Sequence, residues 1–126
     1  MTLPRFVLLE HDHPTLHWDL MLEEGDSLRT WRLPSPRFGG EPMEATSLAP
    51  HRLAYLDYEG PVSGGRGSVK RVDAGTYSHE GDWDGIEGTL ELAGQRHLMR
   101  VSWRRDGEGW FFGAAPKLDS ASPPSS

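Results

Sequence analysis

Short segments of alternating apolar and polar residues, separated by turn formers, run from Arg5 to about Gly113. The cleanest alternation lies in residues 11–23, HDHPTLHWDLMLE. Leu16, Trp18, Leu20 and Leu22 share one parity there, and His17, Asp19, Met21 and Glu23 share the other. A strand sends successive side chains to opposite faces, so the first set is expected to line a core while His17 and Asp19 stand side by side on the far surface. Residues 5–10 (RFVLLE) are mostly apolar and predict a preceding buried strand. Residues 23–26 (EEGD) predict a turn with Gly25 at positive φ. Residues 28–33 alternate again, with Trp31 and Leu33 on one face and Arg32 on the other.

The pattern then loosens. Residues 34–42, with three prolines and Gly39-Gly40, predict a loop, and residues 43–50 an extended segment. Residues 51–59 (HRLAYLDYE) carry no helix caps; in a strand His51, Tyr55 and Asp57 would share a face. Residues 60–67 (GPVSGGRG) form a Gly-rich loop. Short strands are expected at 68–72 and 76–79 around a turn at Ala74-Gly75, with a polar loop at 81–85. Further strands are expected at 86–92, 98–104 and 110–113, with Asp106-Gly107 marking a hairpin. Eight or nine short strands indicate an all-β fold, a small antiparallel β-barrel of about eight strands with little helix. Closing the sheet removes exposed edges. The barrel domain is expected to span residues 1–114, and the patternless residues 115–126 to be a disordered tail.

With 126 residues the chain supports one core, which five Trp help to fill. No apolar run approaches a membrane span. The start, MTLPRF, shows no basic region followed by an apolar run, so no secretory signal and a cytoplasmic location are expected. A net charge of −6 argues against a protein that coats nucleic acid by neutralising phosphates. It leaves room for an enzyme that grips one phosphate with a metal and a few local cations. The absence of cysteine excludes disulfides and thiolate ligands, so any metal must be held by His and carboxylate.

Three of the six histidines fall within residues 11–17. Pro14 forces a turn between His11 and His17, so a strand, a loop and a second strand would bring His11, His17 and Asp19 together. Two imidazoles and a carboxylate suit Zn, Mn, Fe or Ni and leave positions open for water or substrate. The competing reading is a polar strand face with surface histidines. His51 and Tyr55 are the next polar pair: a protonated His is a phosphate partner and a general acid, and a Tyr hydroxyl can donate to an oxyanion. Against that, Tyr55 reads equally as a half-buried core aromatic and His51 as a loop residue. GPVSGGRG lacks the G-K-[ST] ending of a phosphate loop, but can deliver Arg66 to a phosphate. The segment HEGDWD at 79–84 lacks EF-hand spacing and reads as a solvated loop. Arg104 and Arg105 beside Trp103 and Trp110 read either as a cation–aromatic surface or as core Trp with solvated Arg.

Several of these segments share one resemblance: Arg5-Phe6-Val7, His11, Leu16-His17-Trp18-Asp19, Leu22-Glu23, Thr30-Trp31-Arg32-Leu33-Pro34, then His51, Leu53, Tyr55, Tyr58, Glu59 and Gly60, and finally Asp73, Gly75, Thr76 and Tyr77. In order and spacing, over roughly residues 5–113, they resemble the 3′-phosphoesterase domain of bacterial DNA ligase D, which also occurs as a stand-alone protein. That family reads R-F-V, K-H-x-A-x-x-L-H-Y-D-x-R-L-E, S-W-A-V-P, D-H-P-L-x-Y-x-x-F-E-G and D-x-G-T-Y.

The resemblance implies a small β-barrel with a divalent metal, typically Mn²⁺, in a crescent-shaped groove. It implies trimming of 3′ ends: release of a terminal ribonucleoside, then hydrolysis of the remaining 3′-phosphate. Carried onto this chain, it makes His11, His17 and Asp19 metal ligands, with His17 thereby in the catalytic machinery. His51 and Tyr55 become the groups on the scissile phosphate, His51 also helping the leaving group. It further implies a nucleic-acid 3′ end as substrate and a repair ligase or polymerase as partner; a monomer with no membrane contact is expected. The chain departs from the family at Met21, where an Arg is expected on phosphate, at Pro34-Ser35-Pro36 in place of Pro-Lys-Gly, and in the shortened segment 62–67. Arg32 or Arg66 is the expected substitute for the missing cation. These departures also support an alternative: a barrel that binds metal or phosphate and has lost turnover.

Overall fold

In the computed structural model, which describes residues 2–115, these segments form nine strands. They are β1 (Arg5–His11), β2 (His17–Glu24), β3 (Ser27–Leu33), β4 (Met43–Arg52), β5 (Gly60–Pro61), β6 (Ser68–Glu80), β7 (Glu87–Gly94), β8 (Leu98–Asp106) and β9 (Gly109–Ala114). The sheet runs β1-β2-β3-β4-β9-β8-β7-β6, and β6 pairs back onto β1, closing an antiparallel barrel of eight strands. The two-residue β5 joins the start of β6. A single turn of 3-10 helix, Leu53–Leu56, follows β4.

The interior is filled by one parity of each strand. Phe6, Leu8, Leu20, Leu22, Trp31, Leu33, Leu90, Leu92, Val101, Trp103, Trp110 and Phe112 are all buried there. Trp31 lies at the centre, 5.2 Å in centroid distance from both Trp110 and Phe112. Trp83 comes from the β6–β7 loop and enters the same core 5.1 Å from Trp103, with His79 stacked on it at 4.4 Å. The HEGDWD segment is therefore anchored by its Trp, while Asp82 and Asp84 are exposed. Trp103 and Trp110 are likewise core residues, and the Arg105 guanidinium lies 4.7 Å above the Trp110 ring while donating to the Trp83 carbonyl.

The barrel also carries an apolar cluster on its outer face. Val7 and Leu9 of β1, Met21 of β2, Leu28 of β3 and Val69 and Ala74 of β6 are buried beneath Leu56 of the 3-10 helix, with Leu53, Tyr55 and Val62 packed around them. This explains the near-continuous apolar run in β1: its even residues face the interior and Val7 and Leu9 face the covered exterior, so both faces are dry. His11, His17, Asp19 and Arg32 share this outer face with the cluster.

Four expectations change. Residues 51–59 are not a strand: β4 ends at Arg52 and the chain turns into the 3-10 helix, because Leu56 is drawn down onto Val7 and Leu9. The expected strands 68–72 and 76–79 are one, β6, and Ala74-Gly75 lies inside it; a Cβ on Gly75 would strike the Ala93 backbone, so Gly there permits close strand approach rather than a turn. A register shift opposite Leu8 and Leu9 places Val72 as an extra residue in β6, a bulge. Leu16 is 55% exposed and precedes β2, so it does not line the core. The expected tail lies, from residue 116 on, outside the described residues. Among the described residues no helix is long and apolar enough to cross a membrane.

The D-x-G-T-Y residues prove structural. Buried Asp73 accepts from the backbone N–H groups of Arg96 and His97 at 3.0 and 3.1 Å, holding the β7–β8 turn. The Tyr77 hydroxyl donates to the Glu23 carbonyl at 2.7 Å. Burial, reinforced by nearby Glu24, pushes the Tyr77 phenol up to about 12.

Candidate metal centre

His11 ends β1 and His17 begins β2, and the antiparallel register sets them directly opposite one another. Asp19 follows two residues later on the same face. The result is one cluster, with a ligand atom from each of His11, His17 and Asp19 within 4.8 Å of the others. The His11 and His17 rings lie 4.9 Å apart. His17 and Asp19 are 4% and 3% exposed, and that burial decides the chemistry.

Both imidazoles are oriented by backbone carbonyls. His11 Nε2 lies 2.8 Å from the Arg66 carbonyl oxygen, and His17 Nδ1 lies 2.8 Å from that of Thr15. A carbonyl oxygen only accepts, so each of these ring nitrogens carries the proton and donates. In the neutral rings the lone pairs are then on His11 Nδ1 and His17 Nε2, and both point at the carboxylate: His11 Nδ1 is 3.7 Å from Asp19 Oδ2 and His17 Nε2 is 3.3 Å from Asp19 Oδ1. His17 Nε2 and Asp19 Oδ1 are buried with no hydrogen-bond partner. Acceptors face acceptors, and the two that are buried, His17 Nε2 and Asp19 Oδ1, each cost about 1–3 kcal/mol while unpaired. A cation between them removes that cost, and two imidazoles with one carboxylate are a donor set that suits a transition metal. Carbonyl-oriented imidazoles are also the outer arrangement that ligating histidines normally have. The residues therefore fit a divalent metal.

The rest of the predicted set is arranged around this cluster. Arg32 is the direct cross-strand partner of Asp19, on the same outer face. Its Nε is buried without a partner, and Arg32 forms no ion pair with Asp19. Arg66 is nearby through its backbone, but its guanidinium folds back: Nε donates to the Ser63 carbonyl at 2.7 Å and a terminal nitrogen to Ser63 Oγ at 3.3 Å. His51 and Tyr55 are brought together, with ring centroids 5.9 Å apart. His51 Nδ1 donates to the Ala49 carbonyl at 2.9 Å, leaving Nε2 free. His51 is paired with Leu28, and Asp19 with Arg32, so the two sites lie four β3 residues apart, roughly 13 Å along the strand. Between them lies the outer apolar cluster, with Met21 1% exposed among its members. Where the resemblance expects an Arg, this chain has a buried thioether in the outer apolar cluster. A 280 Å³ cavity lined by Arg52, Tyr55, Tyr58, Pro61 and Ser63 opens beside Tyr55.

Two contributors were not visible in the sequence. The carbonyls of Thr15 and Arg66 orient the histidines, and a carbonyl has no sequence signature. Asp12 accepts from the Ser68 N–H at 2.9 Å and fastens the His11–His17 turn to β6. Gly67, at φ +72, leaves room for this turn: a Cβ there would stand 2.7 Å from His13 Cβ.

Fold and cluster together define a small closed antiparallel barrel with two histidines and one carboxylate gathered on its outer face in an arrangement that could hold a cation. The family model for the DNA ligase D 3′-phosphoesterase domain matches residues 9–105, which include the cluster and its two strands. The chain belongs to this family. It is 30% identical over 134 residues to the multifunctional non-homologous end joining protein LigD of Pseudomonas aeruginosa, an alignment covering 91% of this chain and 16% of that protein.

Proposed function

We propose that this chain is a metal-dependent phosphoesterase that processes 3′ ends in DNA repair, removing a terminal ribonucleoside or 3′-phosphate from DNA or from an RNA–DNA primer. The observation that carries the reading is the pair of buried, unpartnered acceptors, His17 Nε2 and Asp19 Oδ1, facing each other at 3.3 Å in a member of this family. His11, His17 and Asp19 would hold the ion, Mn²⁺ by the family resemblance and otherwise Zn²⁺ or another transition metal. Bound to these residues, such an ion would supply Lewis-acid polarisation of a phosphoryl oxygen.

The protein's own groups do the rest. Arg32, unpaired beside Asp19, takes a phosphate oxygen on the open side of the cluster, where a charge-assisted hydrogen bond is strongest. By the family resemblance His51, with Nδ1 fixed on Ala49, would use Nε2 to carry a proton to the leaving oxygen and the Tyr55 hydroxyl would donate to the phosphate, roles that require both side chains to reach across Met21 toward the cluster. Arg66 acts through its carbonyl, which fixes the His11 tautomer, rather than through its guanidinium. Such a module works as a monomer in the cytoplasm and acts beside ligase and polymerase activities.

A second reading is favoured by one specific observation. Met21 is buried in the outer apolar cluster and the Arg66 guanidinium is committed to Ser63, so a barrel that binds metal and 3′ ends without turning them over fits the same surface. One experiment separates the two. The pure protein is incubated with Mn²⁺ and a primer ending in a 3′-ribonucleotide or 3′-phosphate. Trimming that is lost in His17→Ala supports the phosphoesterase. Retained Mn²⁺ and primer binding without trimming supports the module, and trimming undiminished in His17→Ala rejects the site.

A further inference from the structure

The 280 Å³ cavity beside Tyr55 has no part in the chemistry above. It is built by the segment that leaves β4. The chain turns at Arg52 into one turn of 3-10 helix, Leu53–Leu56. That helix repeats every three residues, so side chains three apart fall on one side. Leu53 and Leu56 share one side and pack onto the outer apolar cluster, with Leu56 buried there. Arg52, Tyr55 and Tyr58 keep the same spacing on the open side, and all three line the cavity. Pro61, Val62 and Ser63 close it.

Two tyrosine rings make a corner of this cavity, at 83° to one another with centroids 6.1 Å apart. Tyr55 is half-buried against the apolar cluster. Tyr58 is 37% exposed, the one Phe, Tyr or Trp that is exposed among the described residues. Its ring is nonetheless fixed, because its hydroxyl donates to the Pro61 carbonyl. An exposed aromatic already held in place loses little freedom when something stacks on it. Arg52 stands exposed at the rim and joins no ion pair among the described residues. Set against the pattern D-H-P-L-x-Y-x-x-F-E-G, Arg52 replaces a Pro and Tyr58 a Phe, so the cation and the hydroxyl latch are this chain's own. An aromatic corner with an apolar wall at Val62 and a donor-only cation suits a flat ring that carries acceptors on its edge. The volume is below the roughly 300–1,000 Å³ that drug-sized ligands occupy, which fits one ring system.

We propose that this cavity is a nucleobase subsite: one base of a bound nucleic-acid strand stacks on Tyr58 in the corner against Tyr55, with Arg52 on its acceptor edge. Guanine is the base best suited to it, since its N7 and O6 accept side by side and match the fork of an arginine. The choice of a nucleic acid as the source of the ring rests on the 3′-end-processing reading. The cavity adjoins the cation cluster by a route that does not cross Met21. Ser63 in its wall holds the Arg66 guanidinium, and the Arg66 carbonyl holds His11. A strand whose phosphate meets the cluster can therefore seat a base here.

The test is binding in chelator, where turnover plays no part. Two labelled oligonucleotides of equal length are compared by fluorescence anisotropy, one ending in two guanosines and the other abasic at both positions. The wild type should bind the first about tenfold more tightly, the weight of one stacked base. Tyr58→Ala should erase that difference, Tyr58→Phe should keep most of it, and Arg52→Ala should lose the preference for guanine over adenine. With 2-aminopurine at the two positions, fluorescence should fall on binding to the wild type and stay unchanged with Tyr58→Ala. Free guanosine 5′-monophosphate should displace the first oligonucleotide where ribose 5-phosphate does not. Absence of a base preference in the wild type, whether both oligonucleotides bind or neither, overturns the proposal. So does an equal loss for both in Tyr58→Ala, or equal displacement by the two competitors. Should Tyr58→Ala fail to fold, Tyr58→Leu keeps the bulk without the ring and reads the same difference. Trimming with Mn²⁺ is measured separately: its absence beside a retained base preference rejects the phosphoesterase reading and leaves the subsite standing.

Discussion

Replacing Asp19 by Asn should make the metal-free protein more stable and the metal-loaded protein impossible to form. In the native cluster His17 Nε2 and Asp19 Oδ1 face each other at 3.3 Å, both buried and both without a donor. An Asn amide at Oδ1 would donate to His17 Nε2, pairing one orphaned acceptor and eliminating the other. Each unpaired buried group costs about 1–3 kcal/mol, so a net gain of about 2 kcal/mol is expected. At roughly 2 cal/mol/K of unfolding entropy per residue, that raises Tm by about 8 °C in a chain of this size. Thermal unfolding at mildly alkaline pH in chelator measures it. Adding Mn²⁺ at about a hundred times its Kd should stabilise the wild type by about 2.7 kcal/mol and leave Asp19→Asn unmoved. The reasoning is refuted if Asp19→Asn melts below the wild type in chelator. A proton shared between imidazole and carboxylate, and not an absent metal ion, would then be what the wild-type pair holds.

Three further outcomes follow from the same geometry. Met21→Arg, which restores the residue the family pattern expects, should cost about 2–4 kcal/mol in chemical denaturation, because position 21 is 1% exposed between its strand partners Val7 and Thr30; a neutral substitution that raises phosphatase activity would show that the apolar cluster can open. Gly67→Ala should weaken Mn²⁺ binding by isothermal calorimetry, since the residue sits at φ +72 and its Cβ would press on the His13 turn between His11 and His17; unchanged affinity would mean that the turn does not set the site. Tyr77→Phe should lose about 1 kcal/mol at neutral pH with the hydrogen bond to Glu23. The folded phenol keeps its proton up to about 12 against 10.0 unfolded, so the tyrosine's contribution is present below pH 10 and drains away between those values; the stability gap between wild type and Tyr77→Phe should narrow as pH rises through that window and not widen.

Much of this arrangement is legible in the chain, and the illegible parts have identifiable causes. The alternation of β2 put Trp18, Leu20 and Leu22 inward and His17 and Asp19 outward, which the barrel bears out, and the turn through Pro14 does bring His11 to them. Parity alone concealed the second apolar layer: Met21 has the parity of Asp19 and reads as an outward residue until the 3-10 helix is seen to cover it. The segment 51–59 misleads for the same reason, since its apolar residues are spaced to dock Leu56 on a covered exterior and not to alternate across a sheet. Gly75 reads as a turn because its function, the close approach of Ala93, depends on a partner strand distant in sequence. Arg66 reads as a residue that acts through its charge, but it turns its carbonyl to His11 while its guanidinium is held by Ser63, and a carbonyl contact has no sequence signature.

One cation should bind where the two imidazole lone pairs meet the carboxylate. Crystals soaked in Mn²⁺, with anomalous difference maps recorded above and below the manganese edge, should show a single manganese peak on this face, bonded to His11 Nδ1, His17 Nε2 and an Asp19 oxygen, and the peak should vanish in Asp19→Asn. A fully soaked crystal with no peak there, or with the metal on His11 Nε2 after that nitrogen has left the Arg66 carbonyl, would contradict it.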